Sequence, residues 1–214
     1  MKGVVAGADL RVGPYAFKVG PCYLWYLCVL ALAASPVIAL AQSASTLVSH
    51  EFSDSAQGWH VAGDTGTIDP IFNATGGHPG GHISGNDEAI GETWYFRAPP
   101  SVLKQLPAAL RGTISFSLKQ SGAQVSLFDD DVVIIGPAGR LSYRFETAPG
   151  TEWTDLSVRL VESEGWTWNW NRRATQAQID SVLAAPTGLD IRGEYVTGGD
   201  EASLDNFVVR GPAR

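Results

Sequence analysis

Apolar and polar residues alternate along most of the chain after residue 49, in short runs that glycine and proline interrupt. Alternation is clearest in "TISFSLKQ" (113–120), where Ile114, Phe116 and Leu118 share one face. "DLSVRLVE" (155–162) repeats the pattern, and further runs of the same kind occupy 93–99, 124–129, 132–136, 141–147, 189–196 and 203–211. Short strands in which every second residue is apolar, separated by turns rich in glycine and proline, are typical of two stacked antiparallel sheets. The pattern therefore predicts an all-β sandwich, an antiparallel two-sheet fold.

One segment has helical spacing instead. In "ATQAQIDSVLAAPTG" (174–188), Thr175 and Gln178 form a capping box that satisfies free N–H groups at a helix start. Ile179, Val182 and Leu183 follow at helical spacing, and Pro186 and Gly188 stop the helix. We therefore expect one short helix near 175–184.

The first forty-one residues have the layout of a secretory signal. Residues 21–40 are apolar and uncharged, Lys2, Arg11 and Lys18 precede them, and "ALAQ" offers small residues for cleavage after Ala41. The pattern predicts a signal peptide over 1–41, with an uncleaved membrane anchor as the alternative. A linker (42–48) and a domain (49–211) follow, and the expected location is secreted, either periplasmic or extracellular.

Charge and cysteine usage narrow the class of partner. The formal net charge is −7, and the leader carries three of the basic residues but only one acidic residue. An acidic domain repels phosphates, so nucleic acid is excluded as a partner.

Both cysteines, Cys22 and Cys28, lie in the leader, so the domain is expected to have no disulfide. Membrane contact is expected only through an uncleaved N-terminal segment.

The stretch "ATGGHPGGHISGND" (74–87) raises the question of a zinc site at His78, His82 and Asp87. Its glycines and proline forbid the helix that would align two histidines four residues apart, and no cysteine is available. The segment is better interpreted as a glycine-rich turn that leads into a strand beginning near His82.

A calcium site is a better hypothesis. Calcium takes six to eight hard oxygens from carboxylates and main-chain carbonyls. The first predicted strand (49–64) carries Asp54 and Asp64, and the last (203–209) carries Asp205, so these three carboxylates could combine with carbonyls of the glycine-rich turn. The alternative is that Asp205 and Asn206 only hydrogen-bond nearby backbone.

The most conspicuous candidate for ligand binding is "EGWTWNWNRRAT" (164–175). Flat aromatic faces pack on sugar C–H groups, while amides and guanidinium groups bind hydroxyls, so the candidates are Trp168, Asn169, Trp170 and Arg172. The alternative is that the alternating tryptophans share a buried face, which we expect for Trp166. Trp59, Trp94 and Trp153 are interpreted as packing residues.

Catalysis is not expected. No Gly-x-Ser-x-Gly elbow occurs, and Glu162 and Glu164 lie too close in sequence to flank a glycosidic bond. The run Asp129–Asp131 is interpreted as a solvated strand edge, and a second calcium site is the alternative.

An ordered set of segments resembles the laminin B domain, also called laminin domain IV. The match runs collinearly over residues 50–209 and consists of "EFSDSAQGWHVAGD", "GGHPGGHISGND", "TWYFRAPPSVL", "LRGTISFSLKQS", "DDDVVIIGPAGRLSYRF", "TEWTDLSVRLVESEGW", "ATQAQIDSVLAAPTGLDIRGEY" and "GGDEASLDNFVV". The EGF-like modules that flank this domain in animal laminins are absent from the sequence.

The resemblance implies a jelly-roll sandwich similar to carbohydrate-binding modules and galactose-binding-like domains. Such sandwiches often hold a structural calcium between the first and last strands, which agrees with the pairing of Asp54 and Asp205. The predicted function is a secreted, non-catalytic recognition module that binds polysaccharide or glycoprotein surfaces. The alternative is a structural or adhesive extracellular domain that binds protein partners and no sugar.

Overall fold

Strands form most of the regular structure in the computed structural model, which describes residues 13, 43–63, 66–86, 93–122, 125–126 and 129–213. The leader predicted over 1–41 lies outside the described residues, apart from Gly13. In chain order the strands are β1 (Thr46–His50), β2 (His60–Gly63), β3 (Gly66–Ile68), β4 (Ile71–Gly77), β5 (Gly80–Asn86), β6 (Tyr95–Arg97), β7 (Thr113–Gln120), β8 (Val132–Gly136), β9 (Gly139–Tyr143), β10 (Thr154–Arg159), β11 (Thr167–Trp168), β12 (Arg172–Arg173), β13 (Gly188–Arg192) and β14 (Glu201–Arg210).

These strands form two sheets in which every described pairing is antiparallel. The six-stranded sheet has the order β10-β7-β14-β5-β4, and β1 also pairs with β14. The eight-stranded sheet has the order β12-β11-β9-β8-β13-β6-β2-β3. The prediction of an antiparallel two-sheet jelly-roll sandwich is confirmed.

The inward faces of the two sheets form the core. In β7, Ile114, Phe116 and Leu118 are buried as the alternation predicted. Trp59, Trp94 and Trp166 are the largest fully buried apolar side chains. Burial of one large apolar side chain stabilises a fold by about 1.5–3 kcal/mol, so these tryptophans contribute strongly to holding the two sheets together.

The predicted helix is confirmed as α2 (Gln176–Ala184). Thr175 and Gln178 form the capping box, and the side chains at helical spacing face the core: Ile179, Val182 and Leu183. A second short helix, α1 (Pro100–Leu103), begins at a proline, whose fixed φ suits the first helical turn. Two 3-10 turns occupy Leu106–Ala109 and Glu162–Glu164.

Some predicted boundaries differ from the structure. The segment 49–64 holds the end of β1 and all of β2, with a loop between them, and β1 begins at Thr46, inside the range predicted as linker. In the predicted strand 124–129, Ser126 lies outside any strand. Its backbone N–H donates to the Tyr195 carbonyl and its hydroxyl accepts from Thr197, so its hydrogen bonds go to a loop rather than a ladder.

The interpretation of Asp129–Asp131 as a solvated edge agrees with the exposed Asp129 but is wrong for Asp131. Asp131 is buried and accepts hydrogen bonds from the Tyr195 hydroxyl (2.8 Å) and the Phe145 N–H (2.7 Å), and it pairs with Arg192 at 3.4 Å. Asp130 pairs with Arg140 at 2.8 Å. A buried carboxylate needs such partners to offset its lost hydration, and here the fold supplies them.

Candidate functional site

The predicted ligand residues lie on one hairpin at the edge of the eight-stranded sheet. We call residues 167–173 the Trp hairpin. Thr167 pairs with Arg173 and Trp168 with Arg172, while the other side of β11 pairs with β9. β12 is the last strand of its sheet, and the tip at 169–171 connects it to β11.

The three alternating tryptophans have different environments. Trp166 is fully buried, and its indole N–H donates to the Arg159 carbonyl (2.8 Å). Trp168 packs partly on the core and donates to the Ala138 carbonyl (3.3 Å). Trp170 is 74% exposed.

The turn explains why strand alternation does not extend to Trp170. β11 ends at Trp168, and both Asn169 (φ 47°) and Trp170 (φ 80°) adopt the left-handed region that bulky residues avoid. Residues in this region often belong to ligand-binding sites, where the surrounding structure holds them against strain. The sequence left buried and exposed alternatives open, and the structure places Trp166 in the core and Trp170 outside.

Arg140 holds the tip of the hairpin from the neighbouring strand β9. Its guanidinium carbon lies 4.4 Å from the centroid of the Trp170 ring, and its Nη1 pairs with Asp130 at 2.8 Å. Its backbone N–H donates to the Asn169 side-chain oxygen at 3.0 Å. The indole is therefore oriented before any ligand arrives. Arg140 was not among the predicted residues, because only the pairing of β9 with β11 brings it to the hairpin.

Arg172, the last of the predicted ligand-binding residues, adds positive charge to the Trp hairpin. Arg172 and its neighbour Arg173 are both exposed, and neither makes an ion pair within the part of the chain that the structure describes. An exposed indole beside free guanidinium groups offers a stacking surface together with hydrogen-bond donors. This combination can bind a sugar ring and its hydroxyls.

The predicted calcium ligands are in different environments. Asp205 is buried at a bulge in β14, and its carboxylate accepts the N–H groups of His78 and Asn206, each at 2.6 Å. Burial raises the pKa of Asp205, and the nearby charge of Glu51 raises it further. Asp54 is exposed and accepts from the Ser55 hydroxyl at 3.0 Å. Asp64 lies outside the described residues.

Main-chain oxygens converge near Asp205 at the glycines of β4 and β5. A Cβ on Gly77 would lie 2.1 Å from the Gly81 carbonyl and 2.7 Å from Asp205 Oδ2, and one on Gly81 would lie 2.2 Å from the Phe52 carbonyl. The described residues contain no cluster of three or more carboxylate, imidazole or thiol groups that could hold a metal. A cation here would therefore depend on one buried carboxylate and several carbonyls, a donor set that suits calcium rather than zinc.

The histidine stretch forms the hairpin of β4 and β5, and β5 begins at Gly80, as the interpretation as a turn predicted. His78 lies in the turn, with its ring stacked on Trp153 at an interplanar angle of 25°. His82 is buried against the same indole, and burial lowers its pKa. Trp153 does pack, as expected, but on the outer face of the six-stranded sheet, away from the core. Asp87 lies outside the described residues.

These features define a jelly-roll β-sandwich domain with an exposed aromatic hairpin at one sheet edge. The chain belongs to the laminin B (domain IV) family, whose model matches residues 95–210. No helix in the described part of the chain combines the length and apolar character needed to cross a membrane. No curated protein matches the chain in sequence.

Two solved structures are similar in fold. The L4b domain of human laminin alpha-2 has a TM-score of 0.61 at 12% identity, covering 78% of this chain and 98% of that domain. The family 11 carbohydrate-binding module of the cellulosomal cellulase Lic26A-Cel5E of Clostridium thermocellum has a TM-score of 0.50 at 12% identity, covering 80% of this chain and 96% of that module. At this identity the likeness shows the fold alone.

Proposed function

We propose that the protein is a secreted, non-catalytic extracellular recognition domain that binds carbohydrate on polysaccharide or glycosylated surfaces through the Trp hairpin. The observation that carries this proposal is the exposed indole of Trp170, held in place by the guanidinium group of Arg140. At 74% exposure Trp170 offers a flat aromatic face on which the C–H groups of a sugar ring can pack. Secretion rests on the predicted leader over 1–41.

Two further observations support the proposal. One structure of similar fold is a carbohydrate-binding module, so a sandwich of this kind is compatible with sugar binding. Glu162, near the hairpin in sequence, is engaged in hydrogen bonds that hold a helix start. Glu162 accepts the N–H of Gln176 at 3.0 Å, and its own N–H donates to the Gln176 side chain, so it holds the start of α2.

Replacing Trp170 with Ala is expected to weaken binding to the recognised glycan by at least about tenfold, which corresponds to about 1.4 kcal/mol, because buried aromatic anchors dominate such interfaces. Binding is measured on a glycan array and by pull-down with insoluble polysaccharides. Ile71→Ala is the matched control, because Ile71 is also an exposed large apolar residue but lies on the other sheet. Unchanged glycan binding by Trp170→Ala would contradict the site. A wild-type protein without any glycan response would favour the protein-binding alternative.

We also propose that calcium binds at Asp205, with Asp54 as a further ligand and with carbonyls of the glycine-rich turn. The charge of Glu51, which the sequence interpretation did not name, contributes to the raised pKa of Asp205. Calcium would neutralise the carboxylate that burial disfavours.

Calcium is expected to raise the free energy of unfolding at neutral pH by about 2.7 kcal/mol when present at a hundredfold excess over its dissociation constant. Because the pKa of Asp205 is raised in the fold, stability without calcium is greater at low pH and is lost as the pH rises through that value. The stabilisation by calcium changes with pH in the opposite direction: it increases as the pH rises over the same range, because the ionised carboxylate binds the cation. Thermal unfolding with calcium and with chelator checks both.

Asp205→Asn removes the charge and is expected to abolish the calcium response, whereas Asp69→Asn, at an exposed position paired with His60, should keep it. An equal calcium response in Asp205→Asn and the wild type would refute the site.

A further inference from the structure

We propose that the protein has a second saccharide-binding site, a groove across the outer face of the six-stranded sheet, which we call the sheet groove. The sheet groove is a hollow of about 470 Å³, a volume typical of small-molecule sites. It is lined by residues from β7, β10, β14 and the β4–β5 turn, principally His78, Ser117, Asp155, Ser157, Asn206 and Arg210. It lies on a different sheet from the Trp hairpin, so it extends the proposed function to a new surface.

Strand register aligns the polar side chains that line this groove. On the outer face, Ser117 of β7 lies opposite Asp155 of β10, and Ser115 lies opposite Ser157. The β14 bulge then places Asn206 beside the same serine, at 3.3 Å from its hydroxyl. Hydroxyl, amide and carboxylate groups therefore form one continuous row across three strands.

Hydrogen bonds fix these groups before a ligand binds. The Ser117 hydroxyl donates to Asp155 at 2.7 Å, and the His78 imidazole lies 3.7 Å from the same carboxylate. The Arg210 guanidinium lies 3.4 Å from the Ser115 hydroxyl. Asp155 is nevertheless 75% exposed, so its carboxylate remains free to accept further hydrogen bonds. Preorganised polar groups bind a ligand with less loss of conformational entropy.

The groove also has a flat ring at one end. The imidazole of His78 lines the hollow, and the Trp153 indole supports it from behind at a centroid distance of 6.2 Å. Lys119 lies 4.8 Å from the centre of that indole, and the indole N–H donates to the Gly76 carbonyl at 3.2 Å. Trp153 is thus a positioning residue, and His78 presents the surface on which a sugar ring can stack.

The charges that line the sheet groove and the length of the hollow along β7 indicate the class of ligand. One carboxylate (Asp155) and one guanidinium (Arg210) balance, which favours a neutral polyhydroxylated molecule over an ion. A second hollow of about 300 Å³ lies further along β7 and is lined by Lys119, Glu201, Ser203 and their neighbours. Because the two hollows follow one another along the same strand, we infer an oligosaccharide segment rather than a single sugar.

The test compares the wild type with the double variant Asp155→Ala/Arg210→Ala. Titration calorimetry of the purified protein uses four neutral probes: cellohexaose, laminarihexaose, xylohexaose and mannohexaose. At least one probe is expected to bind, and the double variant to lose at least about tenfold in affinity for it. The matched control is Asp69→Ala/Arg111→Ala, which removes the same two charges from exposed positions outside the groove and should keep the wild-type affinity.

Equal affinities for the groove variant and the control would overturn the proposal, as would a wild type that binds none of the four probes. Circular dichroism of each variant establishes that the fold is retained. The Trp170→Ala variant separates the two sites. Polysaccharide binding lost in Trp170→Ala but kept in the groove variant means that the groove fails and the proposed function stands. The reverse result means that the groove binds sugar and the hairpin does not.

Discussion

Replacing Arg192 with Met is expected to lower the free energy of unfolding by about 3–5 kcal/mol at neutral pH, because it leaves a buried charge without its partner. The Arg192 side chain is only 2% exposed and pairs with the equally buried Asp131. It also donates to the carbonyls of Glu194 (2.6 Å) and Asp129 (3.0 Å) and stacks on Tyr195. Met has similar length and no donor, so all these acceptors lose a partner at once. Denaturant unfolding measures the change.

The stability lost in Arg192→Met should be larger at neutral pH than at acidic pH. Burial already raises the pKa of Asp131, while hydrogen bonds from Phe145, Tyr195 and Arg192 partly offset this effect. Without the guanidinium the pKa rises further. A carboxyl whose pKa is raised in the fold contributes stability below its unfolded pKa and loses it as the pH rises through the folded value. The deficit of Arg192→Met is therefore largest at neutral pH and shrinks toward acid.

Arg111→Met provides the matched control. Arg111 pairs with Asp180 at 3.3 Å, but its side chain is 55% exposed. An exposed pair contributes at most about 1 kcal/mol, so this variant should be nearly as stable as the wild type. Adding Asp131→Asn to Arg192→Met should recover part of the loss. A deficit of equal size at Arg111 and Arg192, or one independent of pH, would show that burial does not govern the effect.

The Gly193→Ala variant is expected to lose about 3 kcal/mol of stability, at the upper end of the usual cost of overpacking a core. A Cβ at this position would lie 1.9 Å from Cζ3 and 2.2 Å from Cη2 of the Trp94 ring. That ring is fully buried and held by a hydrogen bond from its N–H to Asp200 at 3.2 Å. It therefore has little freedom to move away from the added methyl group. Thermal and denaturant unfolding both report the change.

Gly199→Ala is the control, since no atom lies within 4 Å of a Cβ there. If crowding is the cause, Trp94→Phe should cost less in the Gly193→Ala background than in the wild type, because the smaller ring lacks the atoms that clash. A double-mutant cycle measures this coupling. Zero coupling, or equal losses at Gly193 and Gly199, would contradict the explanation.

Features that depend only on residues close together in the sequence could be predicted from it. The α2 capping box needs only Thr175 and Gln178, and the alternation in β7 identifies its own buried face, so both predictions are confirmed. Of the predicted strand 124–129 the structure describes residues 125, 126 and 129, and these lie outside any strand, because apolar content alone cannot distinguish a strand from a loop that hydrogen-bonds elsewhere. The environment of Asp131 depends on Arg192 and Tyr195, some sixty residues away in sequence.

The candidate sites show the same limit. The exposed indole of Trp170 follows from a turn with positive φ, which strand periodicity does not anticipate. Arg140 reaches that indole only because β9 pairs with β11. The sheet groove is formed by strands from distant parts of the chain, so no local sequence motif predicts it. The site residues at 168–172 could be proposed because aromatic, amide and basic residues are adjacent in sequence.

The ten-residue strand β14 has a consequence for the order in which the protein folds. One edge of β14 pairs with β7, while its other edge pairs first with β5 and then with β1. The six-stranded sheet thus cannot assemble around its centre until Arg210 has emerged from the ribosome. Such long-range pairing slows folding, because the long loops between the paired strands must close before their contacts stabilise the sheet.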